Sequence, residues 1–372
     1  MQTRIVIVGG GAGGLELACK LGRKLGAEQV TLVDGQLFHI WKPSLHEVAA
    51  GTLDIHQEGL SYEMLAHDNR FTFCLGAMTA LDATAKVITV APVADEHGEV
   101  LIPERTLPFD QLVLAVGSTA NHFNVPGAAE RTLSLNRPAD AEHFRLRMLK
   151  LLTAAELRKS AGSAAQVRTV IIGGGATGVE LAAELREASQ VHARYGFRRL
   201  DPHRDVQITL LEGADRILAP LPEKVSTAAA GLLKERHVTI ETGCRVARIT
   251  PQHVEDATGR VFPADLVVWA AGIKAPDMLA TLGLATNRSG QLAVEPNLLV
   301  QGQQDIYALG DCAACPTAAG AFVPPRAQAA HQQASYLVDA LTRRAMGQRA
   351  RTAPYVYKDH GSLVSLGTQT SV

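Results

Sequence analysis

One segment of this chain is repeated, and the repeat constrains the fold more than any other feature. A run of apolar and β-branched residues, a glycine fingerprint of the form Gly-x-Gly-x-x-Gly and a helical pattern occur in residues 4–18 and again in residues 168–182. This fingerprint binds a dinucleotide when it lies between a strand and a helix, which is its predicted context in both copies. The sequence therefore predicts an α/β protein with two Rossmann-like dinucleotide-binding domains in tandem.

In the first copy, the spacing of the glycines matches their separate roles in holding a pyrophosphate. One glycine permits a tight turn, the next lets the pyrophosphate approach the backbone, and the last lets helix and strand pack closely, with the helix N-terminus facing the phosphate charge. Asp34 follows a predicted strand twenty residues past the last glycine, where it can accept a hydrogen bond from a ribose hydroxyl. The candidate binding residues are Gly9, Gly11, Ala12, Gly13, Gly14 and Asp34.

The second copy repeats this arrangement with a longer gap before its acidic residue. Glu212 lies 34 residues past the last glycine instead of about 20, which predicts an insertion over Tyr195–Asp205. An acidic residue at this strand end favours an unphosphorylated ribose, so NADH is expected rather than NADPH. Arg216 lies nearby, and an arginine could instead bind the 2′-phosphate of NADPH. The candidate binding residues are Gly173, Gly175, Thr177, Gly178 and Glu212.

Composition excludes several classes of protein. Lys and Arg total 36 against 37 Asp and Glu, a balance that argues against a nucleic-acid partner, and a hydrophobic fraction of 47% argues against disorder. The longest apolar run, Leu266–Ile273, is far shorter than a membrane span. No secretory pattern precedes the first predicted strand, so a location in the cytoplasm or on the cytoplasmic face of a membrane is expected.

The cysteines do not predict a disulfide framework or a metal site. There are five, an odd and scattered count for which reduced thiols are expected. Cys312 and Cys315 form a C-x-x-C, but no second pair completes a tetrahedral site. No metal ligand is predicted.

Redox chemistry requires the two nucleotide sites to hold different ligands, because a nicotinamide can pass hydride to a flavin but gains nothing from a second nicotinamide. Asp311 follows a strand-like segment in what reads as the returning half of the first domain, where a carboxylate can bind the ribityl or pyrophosphate part of a flavin. The first fingerprint is therefore predicted to bind FAD and the second NADH.

The predicted domains follow from this order. The FAD-binding domain is expected over residues 1–130 and 280–335, and the NAD(H)-binding domain over 131–279. Helical patterns run from Asn136 to Lys159 and from about Arg326 to Met346. Residues 336–372 are expected to begin a C-terminal region on the membrane and quinone side.

These residues resemble the flavoproteins of the glutathione reductase superfamily across nearly the whole chain. Both fingerprints, the Ala308–Asp311 stretch and Leu114–Ser118 carry the resemblance. Within that superfamily the chain resembles the type II, non-proton-pumping NADH:quinone oxidoreductases of bacterial respiratory chains. Three local signatures carry this closer resemblance, and they are Trp41–Glu47, Ala327–Gln332 and Tyr357–Leu363.

The resemblance implies that NADH delivers hydride to FAD and that a quinone, ubiquinone or menaquinone, then takes two electrons. The catalytic residues it implies are Glu180, Gln328, Gln332 and Lys358. For FAD it adds Lys42, Ala115, Gly117, Ser118, Asp311 and Ala329, and for NADH it adds Glu180, Ala271 and Gly272.

The resemblance also implies a location and an assembly. A homodimer bound peripherally to the cytoplasmic face of the inner membrane is expected. Relatives carry a C-terminal amphipathic arm beyond the Gly361–Leu363 segment, and this chain ends at Val372, so it reads as a truncated member. Weakened membrane attachment, or a soluble form, is expected from the loss of buried apolar area.

Other functions remain open at this stage. A disulfide reductase would need a C-x-x-x-x-C pair, which Phe38–Asp54 lacks. A sulfide:quinone oxidoreductase would use cysteines, and only Cys312 and Cys315 keep that reading open. A reductase of ferredoxin or rubredoxin would share both nucleotide sites, as would a non-enzymatic flavoprotein that senses NADH.

Overall fold

The computed structural model describes residues 2–349, 353–367 and 371–372. The chain forms two compact units, each assembled from three separate segments. The first unit contains Met1–Trp41, Gly59–Thr119 and Lys274–His360. The second contains Lys42–Glu58, Ala120–Ile273 and Gly361–Val372.

The core of the first unit is a parallel sheet that carries the first fingerprint. Its strands are rich in Ile, Val and Leu, and the central one, Ile5–Val8, is buried at every residue, as expected for a parallel strand covered on both faces. In spatial order the strands are Ile306–Ala308, Gln111–Leu114, Ile5–Val8, Val30–Asp34 and Thr72–Leu75. The α-helices of this unit are Ala12–Leu25, Tyr62–Asn69 and Ala327–Ala345.

Smaller elements complete the first unit. An antiparallel sheet joins Arg105–Pro108, Val87–Val90 and Met78–Asp82. Three short pairs are Phe38–His39 with Leu60–Ser61, Val93–Ala94 with Val100–Ile102, and Leu292–Ala293 with Ala313–Ala314. The 3-10 helices are Asp277–Thr281 and Gly310–Cys312.

The second unit repeats the parallel sheet around the second fingerprint. Val167–Ile172 lies at its centre and pairs with the strands on both sides through most of its length. In spatial order the strands are Leu133–Ser134, Leu266–Trp269, Val167–Ile172, Val206–Leu211 and Val238–Glu241. The α-helices are Leu45–Ala50, Ile55–Glu58, Ala128–Arg131, Pro138–Ser160, Ala176–Tyr195 and Glu223–Glu235.

An antiparallel sheet and a few short elements complete the second unit. The sheet joins Val246–Ile249, His253–Asp256 and Val261–Pro263, and a 3-10 helix covers Lys42–Ser44. The short strands Thr119–Ala120 and Ile273–Lys274 lie where the chain passes from one unit to the other.

Several predicted elements are confirmed. The expected helices appear as Pro138–Ser160 and Ala327–Ala345, and residues 196–205 form the irregular insertion expected before the acidic strand end. The functional domains at 1–130 with 280–335, 131–279 and 336–372 stay a prediction, while the helix Ala327–Ala345 runs through position 335 without a break. In the chain as described, no helix has the length and apolarity needed to cross a membrane.

Candidate functional site

The first glycine fingerprint forms an open, glycine-lined helix start. The helix Ala12–Leu25 begins at Gly11, and no side chain caps it. The first N–H groups of such a helix lack intrahelical partners, and the helix dipole favours negative charge there. A Cβ at Gly11 would meet nothing within 4 Å, so the space in front of the helix is available to a phosphate.

The other fingerprint glycines are required by close backbone approach. Gly9 has a φ of +102°, and a Cβ there would overlap the carbonyl of Ala115. A Cβ at Gly14 would overlap the carbonyl of Gly9, which confirms the predicted close packing of helix on strand. A Cβ at Gly13 would overlap the Leu309 side chain and would lie 3.0 Å from the Ala330 carbonyl oxygen of the helix Ala327–Ala345.

Asp34 is held beside this fingerprint by two backbone hydrogen bonds. Its Oδ2 accepts from the N–H of Gly10 at 2.7 Å, and its Oδ1 accepts from the N–H of Gln36 at 2.8 Å. Burial raises the pKa of this carboxyl, and the two N–H donors oppose the rise. Each carboxylate oxygen keeps acceptor capacity for a ribose hydroxyl, which stays the predicted role.

Residues predicted to flank the flavin meet at the end of the same sheet. Ser118 Oγ donates to Asp311 Oδ2 at 2.7 Å, and the Gln291 amide donates to the Asp311 carbonyl at 2.9 Å. Asp311 lies in the 3-10 helix Gly310–Cys312 rather than at the end of a strand, because the strand stops at Ala308. Gly117 has a φ of +68° and open space at its Cβ position.

The first unit therefore fits a flavin dinucleotide. Such a group needs an uncapped helix start, open space such as that at Gly11 and Gly117, and carboxylates nearby; Asp34 ends one strand of the sheet, and Asp311 lies in the 3-10 helix after another. Ala115 directly follows the strand Gln111–Leu114, and Ala329 is buried near the start of the helix Ala327–Ala345.

The predicted quinone-side residues hold one segment of chain. The Gln332 amide donates to the Lys358 carbonyl at 2.8 Å and accepts from the Lys358 N–H at 2.9 Å. The Gln328 carbonyl oxygen accepts from the His360 N–H at 3.2 Å, and its amide donates to Asp359 at 3.4 Å. The structure thus brings Gln328, Gln332 and Lys358 together, and their contact with a quinone stays a prediction.

Lys42 belongs to a different compact unit from the other predicted FAD residues. It begins the 3-10 helix Lys42–Ser44 of the second unit. Its role in binding FAD, which the resemblance implies, stays a prediction.

The second fingerprint reproduces the first. The helix Ala176–Tyr195 begins at Gly175, also without a side-chain cap and with open space at the Cβ position. A Cβ at Gly173 would overlap the backbone of Ala270, and one at Gly178 would overlap the carbonyl of Gly173. Thr177 is exposed in the first turn of this helix.

Glu212 occupies the position that Asp34 occupies in the first unit. Its Oε2 accepts from the Gly174 N–H at 2.6 Å, and its Oε1 accepts from the Ala214 N–H at 2.7 Å. Arg216 donates to backbone carbonyls of Leu218, Ala219 and Leu221. Its guanidinium is therefore used in shaping the loop after the strand.

The Ala271–Gly272 stretch has a defined conformation. Trp269 Nε1 donates to the Ala271 carbonyl at 2.9 Å, and the Gly272 carbonyl accepts from the Asn121 N–H at 3.2 Å. Gly272 has a φ of +80°, and a Cβ there would overlap the ring of Phe123. These contacts explain why glycine is needed, while contact with a nicotinamide stays a prediction.

Glu180 lies in a cluster of ionisable groups within the second unit. Its Oε1 accepts from the Ser365 N–H at 3.1 Å, and its Oε2 lies 3.7 Å from His46 Nδ1. Burial raises the pKa of Glu180 to about 7. The hydrogen bond from the Ser365 N–H opposes this rise, and the negative charges of Glu47 and Glu184 add to it. Burial also lowers the pKa of His46 to about 4, so this imidazole is neutral at neutral pH.

The C-x-x-C thiols do not match a reactive pair. Cys312 and Cys315 are free and buried, and the Cys312 thiol donates to the Leu309 carbonyl at 3.2 Å. Burial raises the pKa of Cys312 to about 12 and that of Cys315 to about 11. Because the thiolate is the reactive form, these values argue against the thiol-based alternatives.

Several contacts around the fingerprints were not anticipated. Gly10 and Gly174, at the variable position of each fingerprint, are also sterically required, since a Cβ would meet Tyr62 at the first and Glu212 at the second. The sequence signal was present, because glycine occupies this position in both copies. Tyr62 and His39, which contact Gly10, had no local signal.

Comparison with known proteins gives the same assignment. The pyridine nucleotide-disulphide oxidoreductase family model matches residues 3–334. A type II NADH:quinone oxidoreductase from Haemophilus influenzae is 37% identical, over 100% of this chain and 86% of the relative. Demethylphylloquinone reductase NdbB from Synechocystis is 30% identical with the same coverage.

The fold is shared with a solved structure of NDH2 from Plasmodium falciparum in complex with NADH, at a TM-score of 0.85 and 19% identity over 100% of this chain and 90% of that one. This match and the family model confirm the predicted α/β fold of the glutathione-reductase type. The chain belongs to the pyridine nucleotide-disulphide oxidoreductase family and, within it, to the type II NADH:quinone oxidoreductases.

Proposed function

We propose that this protein transfers hydride from NADH to FAD bound at the first fingerprint and passes two electrons on to a membrane quinone. Membership of the type II NADH:quinone oxidoreductases supports the proposal most directly. The structure adds two separately built dinucleotide sites, each with an open helix start and a carboxylate bound to a fingerprint glycine. A chain with both sites can hold a hydride donor and a flavin together.

In the first unit, Gly9, Gly11, Gly14 and Asp34 would hold the adenosine diphosphate part of FAD, and Ser118 with Asp311 the ribityl side. Bound FAD supplies a two-electron carrier that accepts hydride and returns electrons to a second substrate. The protein's contribution is to orient this group with backbone N–H donors and carboxylates that are already held in place.

In the second unit, Glu212 gives the site its preference for NADH. Its carboxylate is fixed by two N–H donors at the strand end, where a 2′-phosphate would meet like charge. Arg216, which could have favoured NADPH, is engaged with backbone carbonyls.

Glu212→Arg should shift the preference toward NADPH. Removing the carboxylate ends the repulsion of a 2′-phosphate, and a guanidinium can pair with it, so we expect the ratio of kcat/KM for NADPH to that for NADH to rise by at least about 10-fold. Steady-state rates with both nucleotides measure it. Glu223→Arg is the matched control, because Glu223 is an exposed carboxylate of the same unit. An unchanged ratio in Glu212→Arg would contradict the assignment.

On the quinone side, Gln328 and Gln332 carry amides on the helix Ala327–Ala345 next to the segment that contains Lys358. An amide can donate to a quinone carbonyl, which becomes more negative on reduction, so the contact strengthens as electrons arrive.

Gln328→Leu should slow electron transfer to quinone while leaving reduction of the flavin by NADH intact. We expect at least about a 10-fold loss in the quinone step, the usual cost of one hydrogen bond that strengthens in the transition state. Gln301→Leu, which removes an exposed amide of the same unit, is the control. Equal loss in both half-reactions would reassign Gln328 to flavin binding.

The proposed function is tested by a stopped-flow experiment that follows flavin absorbance. Mixing with NADH should bleach the flavin rapidly, and subsequent mixing with a soluble short-chain quinone should restore it rapidly. Bleaching without recovery would instead support a reductase of another acceptor.

Attachment to the cytoplasmic face of the inner membrane and assembly as a homodimer complete the proposal. A lipid-soluble acceptor requires access to a bilayer. The strand pair Phe38–His39 and Leu60–Ser61 supports such contact, because Leu37, Phe38 and Leu60 are each about half exposed.

A further inference from the structure

The carbonyl oxygen of Gly10, between the first two fingerprint glycines, accepts two side-chain hydrogen bonds. The Tyr62 hydroxyl donates to it at 2.7 Å, and His39 Nδ1 lies 2.9 Å from it. A carbonyl can only accept, so His39 must carry its proton on Nδ1. The N–H of the same residue donates to Asp34, and thus both polar groups of Gly10 have partners.

Local structure explains why these two side chains reach one oxygen. The strands Phe38–His39 and Leu60–Ser61 pair antiparallel, which places His39 opposite Leu60. Ser61 caps the helix that starts at Tyr62, and the Tyr62 N–H donates to the Leu37 carbonyl at 3.1 Å. The strand pair and the helix start therefore bring both side chains to the Gly10 carbonyl.

The packing around Tyr62 leaves it little freedom. Only 3% of the residue is exposed, and its ring stacks on Phe73 with centroids 5.1 Å apart. A Cβ at Gly10 would overlap the Tyr62 hydroxyl and ring, so this contact requires glycine at the variable position of the fingerprint.

In the second fingerprint, the corresponding glycine, Gly174, also has partners for its N–H and its C=O, but the partner of the C=O differs. The Gly174 N–H donates to Glu212 as the Gly10 N–H donates to Asp34, but the Gly174 carbonyl accepts from the backbone N–H of Leu218 at 2.7 Å. In both copies, the glycine at this position is thus anchored at both its N–H and its C=O. Only the first copy holds the C=O with side chains, so substitutions can remove this contact without changing the backbone.

We propose that Tyr62 and His39 are positioning residues for the FAD site: together they fix the Gly10 peptide, and through it the orientation of Gly11, the helix start and Asp34. The inference rests on the proposed function, since FAD at the first fingerprint is part of it. Neither side chain needs to touch FAD, because the groups that would bind it are the ones they hold in place. A peptide that is anchored before binding loses less conformational entropy on binding.

The test is the dissociation constant for FAD, measured by flavin fluorescence on the purified holoenzyme and four variants. Tyr62→Phe keeps the ring on Phe73 and removes only the hydroxyl, so we expect about 5- to 10-fold weaker binding, the usual effect of one hydrogen bond. His39→Leu should give a similar loss. His39→Gln should restore part of it, because an amide N–H can donate to the same carbonyl.

The double variant Tyr62→Phe with His39→Leu gives the sharpest result. Either donor alone still satisfies the carbonyl, so the combined loss should exceed the product of the two single losses. The KM for NADH should stay unchanged in the single variants.

Tyr336→Phe is the matched control. It also removes a hydrogen bond from a tyrosine hydroxyl to a backbone carbonyl in the first unit, that of Ala353 at 2.6 Å. We expect a lower melting temperature and an unchanged FAD dissociation constant. Wild-type affinity in the double variant, or an equal loss in Tyr336→Phe, would overturn the inference. A wild-type chain that binds no FAD would overturn the proposed function and this inference with it.

Discussion

Gly11→Val is expected to give a folded chain that has lost FAD. A Cβ at Gly11 meets nothing within 4 Å, and the residue's φ of −67° suits any L-amino acid, so the substitution should not disturb the protein. The added side chain would occupy the space in front of the helix Ala12–Leu25 that a pyrophosphate needs. We expect the FAD dissociation constant to rise by at least about 100-fold, equivalent to about 3 kcal/mol.

The same substitution in the other copy is its control. Gly175 is also open at the Cβ position, with a φ of −74°. Gly175→Val should therefore purify with FAD and fail to be reduced by NADH. Flavin content after purification, melting temperature and the rate of flavin bleaching distinguish the two variants. If both lost FAD equally, or if Gly11→Val retained it, the assignment of FAD to the first fingerprint would be wrong.

Glu180→Gln is expected to stabilise the protein progressively as the pH rises toward neutrality and above. The wild-type carboxyl has a pKa of about 7 in the folded chain, against 4.5 for an ordinary glutamate. Burial is the main cause, and Glu47 and Glu184 raise the value further. The amide cannot ionise, yet its oxygen can still accept from the Ser365 N–H.

The sign of the effect follows from proton binding. Between about pH 4.5 and pH 7, the folded wild-type protein holds a proton that the unfolded chain has released. The contribution of this group to stability is therefore complete below about pH 4.5 and is lost as the pH rises through about 7. The loss amounts to about 3 kcal/mol when it is complete. Burial lowers the pKa of His46 to about 4, so in the folded wild-type protein this imidazole stays neutral over the pH range of the effect.

Thermal melting of wild type and Glu180→Gln between about pH 5 and about pH 8 measures the effect. The difference in Tm should grow with pH and reach about 5 °C or more at the upper end. Glu130→Gln, which removes an exposed carboxylate of the same unit, should show no such trend. A pH-independent difference for Glu180→Gln would mean that its carboxyl titrates normally.

The sequence alone determined the two dinucleotide folds and where their glycine fingerprints lie. The fingerprint spacing is local: Gly14 and Gly178 are required by close approach to Gly9 and Gly173 within the same motif, and the spacing of these glycines shows directly in the sequence. Asp34 and Glu212 could also be found, because each lies at the end of a recognisable strand, although an insertion displaces Glu212 from the usual spacing. The resemblance of these segments to known flavoproteins led to the correct family.

Only the tertiary structure decided which side chains support those positions. Tyr62 lies 52 residues from Gly10, and Ser365 lies 185 residues from Glu180, and no periodicity in the sequence relates such pairs. Their contacts arise from long-range pairing, as in the antiparallel strand pair that brings His39 beside Tyr62. Burial likewise sets the ionisation of Glu180 and of Cys312, because the cost of desolvating a charge depends on the packed surroundings and not on neighbours in the chain.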